Sequence, residues 1–136
     1  YVANDFGRNC LYRNDEGRFV DIAADTGAED MAAGMSVSWG DFNRDGGADL
    51  LVGNMFSSAG QRVAFQRQLG EGKKRMARGN SLFAAKEGAF EDVSMASGIT
   101  NGGWAWSSAF ADLNNDGWQD LVVANGYLSN TRDDDL

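Results

Sequence analysis

Two nine-residue stretches of this chain share the frame D-x-N-x-D-G-x-x-D: Asp41-Phe-Asn43-Arg-Asp45-Gly46-Gly47-Ala-Asp49 and Asp112-Leu-Asn114-Asn-Asp116-Gly117-Trp118-Gln-Asp120. In a loop that curls round a cation, positions 1, 3 and 5 direct side-chain oxygens inward. Glycine at 6 permits the sharp turn, position 7 offers its carbonyl, and position 9 returns another carboxylate. The expected ligands are therefore Asp41, Asn43, Asp45, the Gly47 carbonyl and Asp49, then Asp112, Asn114, Asp116, the Trp118 carbonyl and Asp120. All are hard oxygen donors. Such a shell suits calcium, one ion in each of the two loops, over magnesium, which prefers fewer protein ligands and more water. The frame is not an EF-hand, because its twelfth position is Val52 or Val123 and both flanks read as strands. The alternative is a metal-free turn rich in Asp, Asn and Gly. A turn needs only one or two of the four acidic or amide positions, whereas both copies hold all of them in register.

Composition removes most other chemistry. The 136 residues contain no histidine and one cysteine, Cys10, which excludes His-based general bases, Ser-His-Asp and Cys-His arrangements, His-containing zinc sites and an intrachain disulfide. Apolar residues make up 43% and the net charge is -8, a globular composition. Of the 20 acids 15 are aspartate, which favours turns and hard cations over helical bundles. No apolar run approaches the ~20 residues needed to span a bilayer, and the chain reads as an excised or processed piece.

The elements that position the loops repeat. Residues 9 to 49 align without a gap on 80 to 120 at an offset of 71, pairing Asn9 with Asn80, Phe19 with Phe90, Asp21 with Asp92 and each loop position with its counterpart. A partial third copy opens the chain, since Tyr1-Val-Ala-Asn4 matches Leu51-Val-Gly-Asn54 and Val122-Val-Ala-Asn125. Each asparagine there is read as closing a turn after an apolar strand. Residues 1–8 are thus the end of a truncated preceding blade, 9–54 the first repeat, 55–79 an insertion, 80–125 the second repeat and 126–136 an acidic tail.

Strand periodicity dominates each repeat. Met35, Val37 and Trp39 alternate with Gly34, Ser36, Ser38 and Gly40, and Trp104, Trp106 and Phe110 with Ala105, Ser107, Ala109 and Ala111, so one face is bulky and the other small. That pattern fits sheets converging on the axis of a radial array, with the tryptophans in core or inter-blade packing rather than stacking on sugars. Leu50 to Gly53 and Leu121 to Ala124 are continuously apolar, as in strands buried on both faces. A second pair at about 10–13 and 18–22, turned by Asn14-Asp-Glu-Gly17, recurs at 81–85 and 89–93. Four short antiparallel strands per ~50 residues is the size of a propeller blade. The expected fold is all-β, about two blades of a calcium-binding β-propeller.

The insertion is foreign in charge. Residues 62–78 hold six of the twelve basic residues and one acid, so this stretch is +5 on a body of -13. Weak periodicity at Val63, Phe65, Leu69 and Met76, interrupted by Gly70 and Gly72, predicts one or two short helical turns. Pairing with the acidic body is the expectation, with polyanion binding as the alternative. Gly70-Glu-Gly72-Lys73-Lys74 is not a phosphate loop, because Arg67 stands where its first glycine belongs and Lys74 where Ser or Thr would hold magnesium.

The carriers GDFNRDGGADLLVGN and ADLNNDGWQDLVVANG resemble the FG-GAP/VCBS repeat. NMFSSAG, RMARGNSLF and WAWSSAFADLNNDGW are similar to the ASPIC/UnbV-associated, cartilage acidic protein-like type. The resemblance implies an integrin-alpha-like propeller stabilised by calcium, secreted, at the cell surface or periplasmic, working in adhesion or assembly rather than catalysis. Expected partners are further propeller blades or a second copy, with a protein or glycan ligand compatible and nucleic acid not expected. A platform role in a polysaccharide-acting enzyme is the second class of reading.

Overall fold

A computed structural model describes residues 1–66 and 71–125, so the acidic tail 126–136 and insertion residues 67–70, Arg67 among them, lie outside the described residues. The elements run β1 (Asp5–Arg8), β2 (Tyr12–Asp15), β3 (Arg18–Asp21), α1 (Ala23–Thr26), β4 (Met31–Gly40), β5 (Asp49–Asn54), α2 (Ser58–Gln66), α3 (Glu71–Met76), β6 (Ser81–Lys86), β7 (Ala89–Asp92), β8 (Ala105–Ala111) and β9 (Asp120–Asn125). They form a five-stranded antiparallel sheet in the order β1-β4-β5-β6-β7 and two separate hairpins, β2-β3 and β8-β9. The chain is mostly β, as its alternating apolar pattern dictates, and the sheets are partial propeller blades.

The complete four-stranded meander, β4 to β7, is assembled from halves of both repeats. Hydrogen bonds join β5, the end of the first repeat, to β6, the start of the second, through Leu50 opposite Phe83 and Val52 opposite Ser81. The insertion therefore interrupts the middle of one blade. Hairpin β2-β3 is the outer half of a preceding blade, tied to the opening residues by the bridge between Val2 and Cys10, and β8-β9 is the inner half of a following one. Gly17 donates its N–H to Asn14 Oδ1 at 2.8 Å to close the first outer turn.

All six residues of β5 are buried, because sheets lie on both of its faces. Leu50, Val52, Phe83 and Ala28 form a fully buried cluster, with Tyr1, Ala3, Leu11, Val37 and Phe90 packed against it. On the opposite side β8 stacks on β4: Ser36 and Ser108 share a hydrogen bond at 2.8 Å, and Phe110 donates its N–H to Ser38 Oγ at 3.3 Å. The small face of one blade thus receives a bulky residue of the next. At Gly40 an added methyl would fall 2.5 Å from a carbon of the Phe110 ring and onto Gln119. Gly40→Ala is expected to cost about 1–3 kcal/mol by overpacking, read as a lower urea midpoint. Combining it with Phe110→Leu should cost less than the sum of the two single changes, and strict additivity would show that this contact does not join the blades.

Strict alternation fails in both of the inner hairpins, β4-β5 and β8-β9. Register shifts fall between Gly34 and Ser36 and between Ala105 and Ser107, and each bulge re-aims the residues beside it. Ala105 is fully buried, while Trp104 and Trp106 are 41% and 51% exposed, so these two rings sit at the rim of the packing rather than within it. Trp39 leans on Phe90 with centroids 6.1 Å apart.

Among its described residues the insertion holds more helix than its glycines suggest, two helices of nine and six residues in place of one or two turns. It folds down onto the blade through two arginines. Arg75 Nε meets buried Asp30 at 2.7 Å and its Nη1 meets Asp92 at 3.1 Å, while Arg78 Nη1 reaches Asp92 at 2.9 Å. Burial raises the Asp92 carboxyl, but hydrogen bonds from Ser94 and Arg78 outweigh it and hold the group below the usual carboxylate range. Among the described residues no helix is long and apolar enough to cross a membrane.

Candidate metal centre

The two acidic loops occupy equivalent places, each joining the first strand of a blade to the second. The first spans the β4-β5 turn and the second the β8-β9 turn. Their internal bonds agree one for one. Asp41 accepts the N–H of Asp45 on Oδ1 at 3.1 Å and that of Gly46 on Oδ2 at 3.0 Å. Asp112 accepts those of Asp116 and Gly117 at 3.1 and 2.9 Å. Asn43 and Asn114 each accept from position 5 through Oδ1 and donate to it through Nδ2, and the carboxylates of Asp45 and Asp116 accept the N–H of Gly47 and Trp118. Position 4 is left-handed in both, with φ of 60° at Arg44 and 64° at Asn115, and the glycines at position 6 follow at 85° and 84°. Only glycine takes that last conformation without strain from a Cβ.

Position 9 closes each hairpin from below. Asp49 Oδ2 accepts the N–H of Phe42 at 3.1 Å, and Asp120 Oδ2 that of Leu113 at 2.9 Å. Asp49 is fully buried and also accepts the Ala85 N–H from β6 at 2.8 Å, so the loop is anchored to the outer half of its blade. Burial pushes the Asp49 carboxyl up, and the nearby charges of Asp45 and Asp41 add to the rise against the two N–H donors. Asp116 moves the other way, held low by the Trp118 N–H, then by Asn114 and by the Arg44 charge.

All ten positions named from sequence thus lie in these two loops or at their junctions with the strands. Among the described residues, however, no three His, Cys, Asp or Glu side chains gather closely enough to make a ready-formed metal cluster. In each loop the aspartates at positions 1 and 5 bond to its own N–H groups, and Asp49 and Asp120 turn toward the hairpin base. The donor chemistry still fits a hard cation: every side chain is a carboxylate or amide oxygen source, and an oxygen that accepts one N–H keeps a second lone pair.

Sequence spacing gave no sign of the contacts that join the loops. Arg44 lies over the Trp118 ring, 5.1 Å from its centroid, and Asp41 donates its N–H to Gln119 Oε1 at 2.9 Å. Both involve the variable positions of the frame. The strand-ending asparagines, by contrast, were visible in sequence, and their role is larger than closing a turn. Asn4 donates its N–H to Asn9 Oδ1 at 2.8 Å, and Asn54 repeats this on Asn80 at 3.0 Å. Asn54 is fully buried and its Nδ2 also lies within hydrogen-bond reach of Asp30, the Gly79 carbonyl and Ser81.

This periodic construction agrees with the comparison to known families: the FG-GAP-like repeat matches residues 1–52 and 63–123. The chain belongs to the FG-GAP-like repeat family. The matched halves leave out residues 53–62, at the opening of the insertion. Among curated proteins this FG-GAP-like chain is 47% identical over 56 residues to cartilage acidic protein 1 of Xenopus tropicalis, a match that takes in 40% of the chain and 9% of that protein. The Homo sapiens protein of the same name is 45% identical over 56 residues, 8% of its length. No solved structure matches the chain at the same significance. As an FG-GAP-like repeat, the chain is a repeat scaffold whose blades call for further blades beside them.

Proposed function

We propose that this FG-GAP-like segment is a calcium-stabilised, non-catalytic adhesion or assembly module acting outside the cytoplasm, secreted, at the cell surface or in a periplasm. The observation that carries the reading is the bond-for-bond identity of two loops whose donors are all oxygen. Asp41, Asn43, Asp45, Asp49 and the Gly47 carbonyl hold one ion, and Asp112, Asn114, Asp116, Asp120 and the Trp118 carbonyl the other. A divalent ion would offset the repulsion that Asp45 and Asp41 exert on Asp49. The cartilage acidic protein matches support placement outside the cell, and the half-exposed tryptophans at the end of the arc support packing against further blades or a second copy.

The test is thermal unfolding in 1 mM calcium against EGTA. With a dissociation constant of ~0.1 to 1 mM, each filled site adds about 0.4–1.4 kcal/mol, and Tm is expected to rise by a few degrees. Asp45→Ala and Asp116→Ala should each remove roughly half of that rise. Asn14→Ala, in a turn that lacks the frame, should leave it unchanged. A Tm indifferent to chelation would reduce both loops to metal-free turns.

The alternative reading of the insertion, polyanion binding, is weakened because Arg75 and Arg78 are already engaged with Asp30 and Asp92.

A further inference from the structure

The two loops sit on different blades, yet two contacts tie them together. Arg44 is position 4 of the first loop, and its guanidinium covers the ring of Trp118, position 7 of the second, at 5.1 Å. Asp41 is position 1 of the first, and its N–H is held by the side chain of Gln119, position 8 of the second, at 2.9 Å. The Ser36–Ser108 bond keeps the strands carrying both loops in register. These ties are specific to this pair of blades, because the internal counterpart of Arg44 is Asn115 and the counterparts of Trp118 and Gln119 are Gly47 and Ala48.

Resting on the calcium reading above, we propose that Arg44 and Gln119 couple the two loops, so that filling one raises the calcium affinity of the other. The route is ordering. An ion in the first loop fixes Asp41, Asn43 and Asp45, and with them the backbone of Arg44, which lies between two ligands. Arg44 and the Asp41 N–H then hold Trp118 and Gln119, which supply or flank the position 7 carbonyl and the position 9 carboxylate of the second loop. The conformational entropy lost on closing that loop is thereby already spent in part when the second ion arrives, and the effect runs equally in reverse. Arg44 and Gln119 are positioning residues and donate nothing to either ion.

The repeat itself supplies conservative variants. Arg44→Asn and Gln119→Ala each install the residue found at the same position of the other loop, and asparagine tolerates the left-handed backbone at position 4. Calcium titration by calorimetry is expected to show two ions bound by the wild-type chain with positive coupling of about fivefold, at the low end of ordinary allosteric coupling. Asp116→Ala should weaken the first site, and Asp45→Ala the second, by that same factor. In the Arg44→Asn/Gln119→Ala chain both ions should bind with the coupling factor near one. Amide exchange at Trp118 to Asp120 in the Asp116→Ala protein should slow when calcium fills the first loop, and should not when Arg44 and Gln119 are replaced. An unchanged Tm in EGTA establishes that the double variant is folded; if it is not, Gln119→Ala alone is expected to lower the coupling factor, and no change there overturns the proposal. Two ions bound independently by the wild type would overturn the coupling and leave the calcium reading standing. Coupling that survives in the double variant would overturn the role of these residues. No binding heat and no calcium-dependent Tm would remove both readings.

Discussion

Replacing Arg75 by methionine is expected to destabilise the chain by about 3–5 kcal/mol, because it strands a carboxylate that has no exposure to water. Asp30 is 1% exposed as a residue and its side chain is wholly buried, with the Arg75 Nε at 2.7 Å. Asn54 Nδ2 and the Met31 N–H also donate to Asp30, but these neutral donors do not cancel its charge. Arg75 further bridges to Asp92, so one change loosens the insertion, β7 and the start of β4 together. Urea unfolding checks this, with Arg8→Met as the control. The Arg8 to Glu29 pair is as short, at 2.8 Å, but lies in solvent, and exposed pairs contribute about 0–1 kcal/mol. Equal losses in the two variants would show that Asp30 gains no more from its partner than a surface acid does.

Phe83→Ala should cost a similar amount, about 3–5 kcal/mol, by opening a cavity in a core that has no spare layer. Phe83 is fully buried among Leu50, Val52 and Ala28 and sits on β6 within the β4 to β7 meander, paired with Leu50 on one side and Asp92 on the other. The Arg75 guanidinium also stacks over its ring, 5.7 Å from the centroid. The ring therefore supports the same arginine that neutralises Asp30. The double variant Phe83→Ala/Arg75→Met is expected to fall short of the summed single losses by about 0.5–3 kcal/mol, as contacting residues do. Full additivity in urea would separate the core from the ion-pair network. Phe83→Leu, which keeps most of the volume, should be milder than Phe83→Ala.

Which parts of this were legible follows from the physics of each. The acidic frame could be read because its constraint is local: glycine at position 6 answers a left-handed backbone, and the side chains at positions 1, 3 and 5 bond to N–H groups within five residues. The burial of β5 on both faces could be read from its unbroken apolar run. The outer hairpins could be read from Asn14 to Gly17 and from Glu87-Gly88, since a tight turn is closed by its own residues. The insertion was legible only as a charge excess. Nothing in residues 62–78 distinguishes the two arginines that reach Asp30 and Asp92 from their cationic neighbours, because their partners lie 14 to 45 residues away.

Sequence by itself determined the repeat, its offset of 71, the all-β character and the twin loops of oxygen donors, since each is written in spacing and residue type along the chain. Tertiary structure alone decided where a blade begins. A repeating pattern can be cut at any point without altering its period, and only the hydrogen bonds from β5 to β6 show that one blade takes its inner strands from the first repeat and its outer strands from the second. The bulges beside Ser36 and Ser107, the burial of Asp49 beneath its loop and the reach of Arg44 to Trp118 were settled there too. All depend on which surfaces meet when sheets stack, and that information is shared between segments distant in the chain.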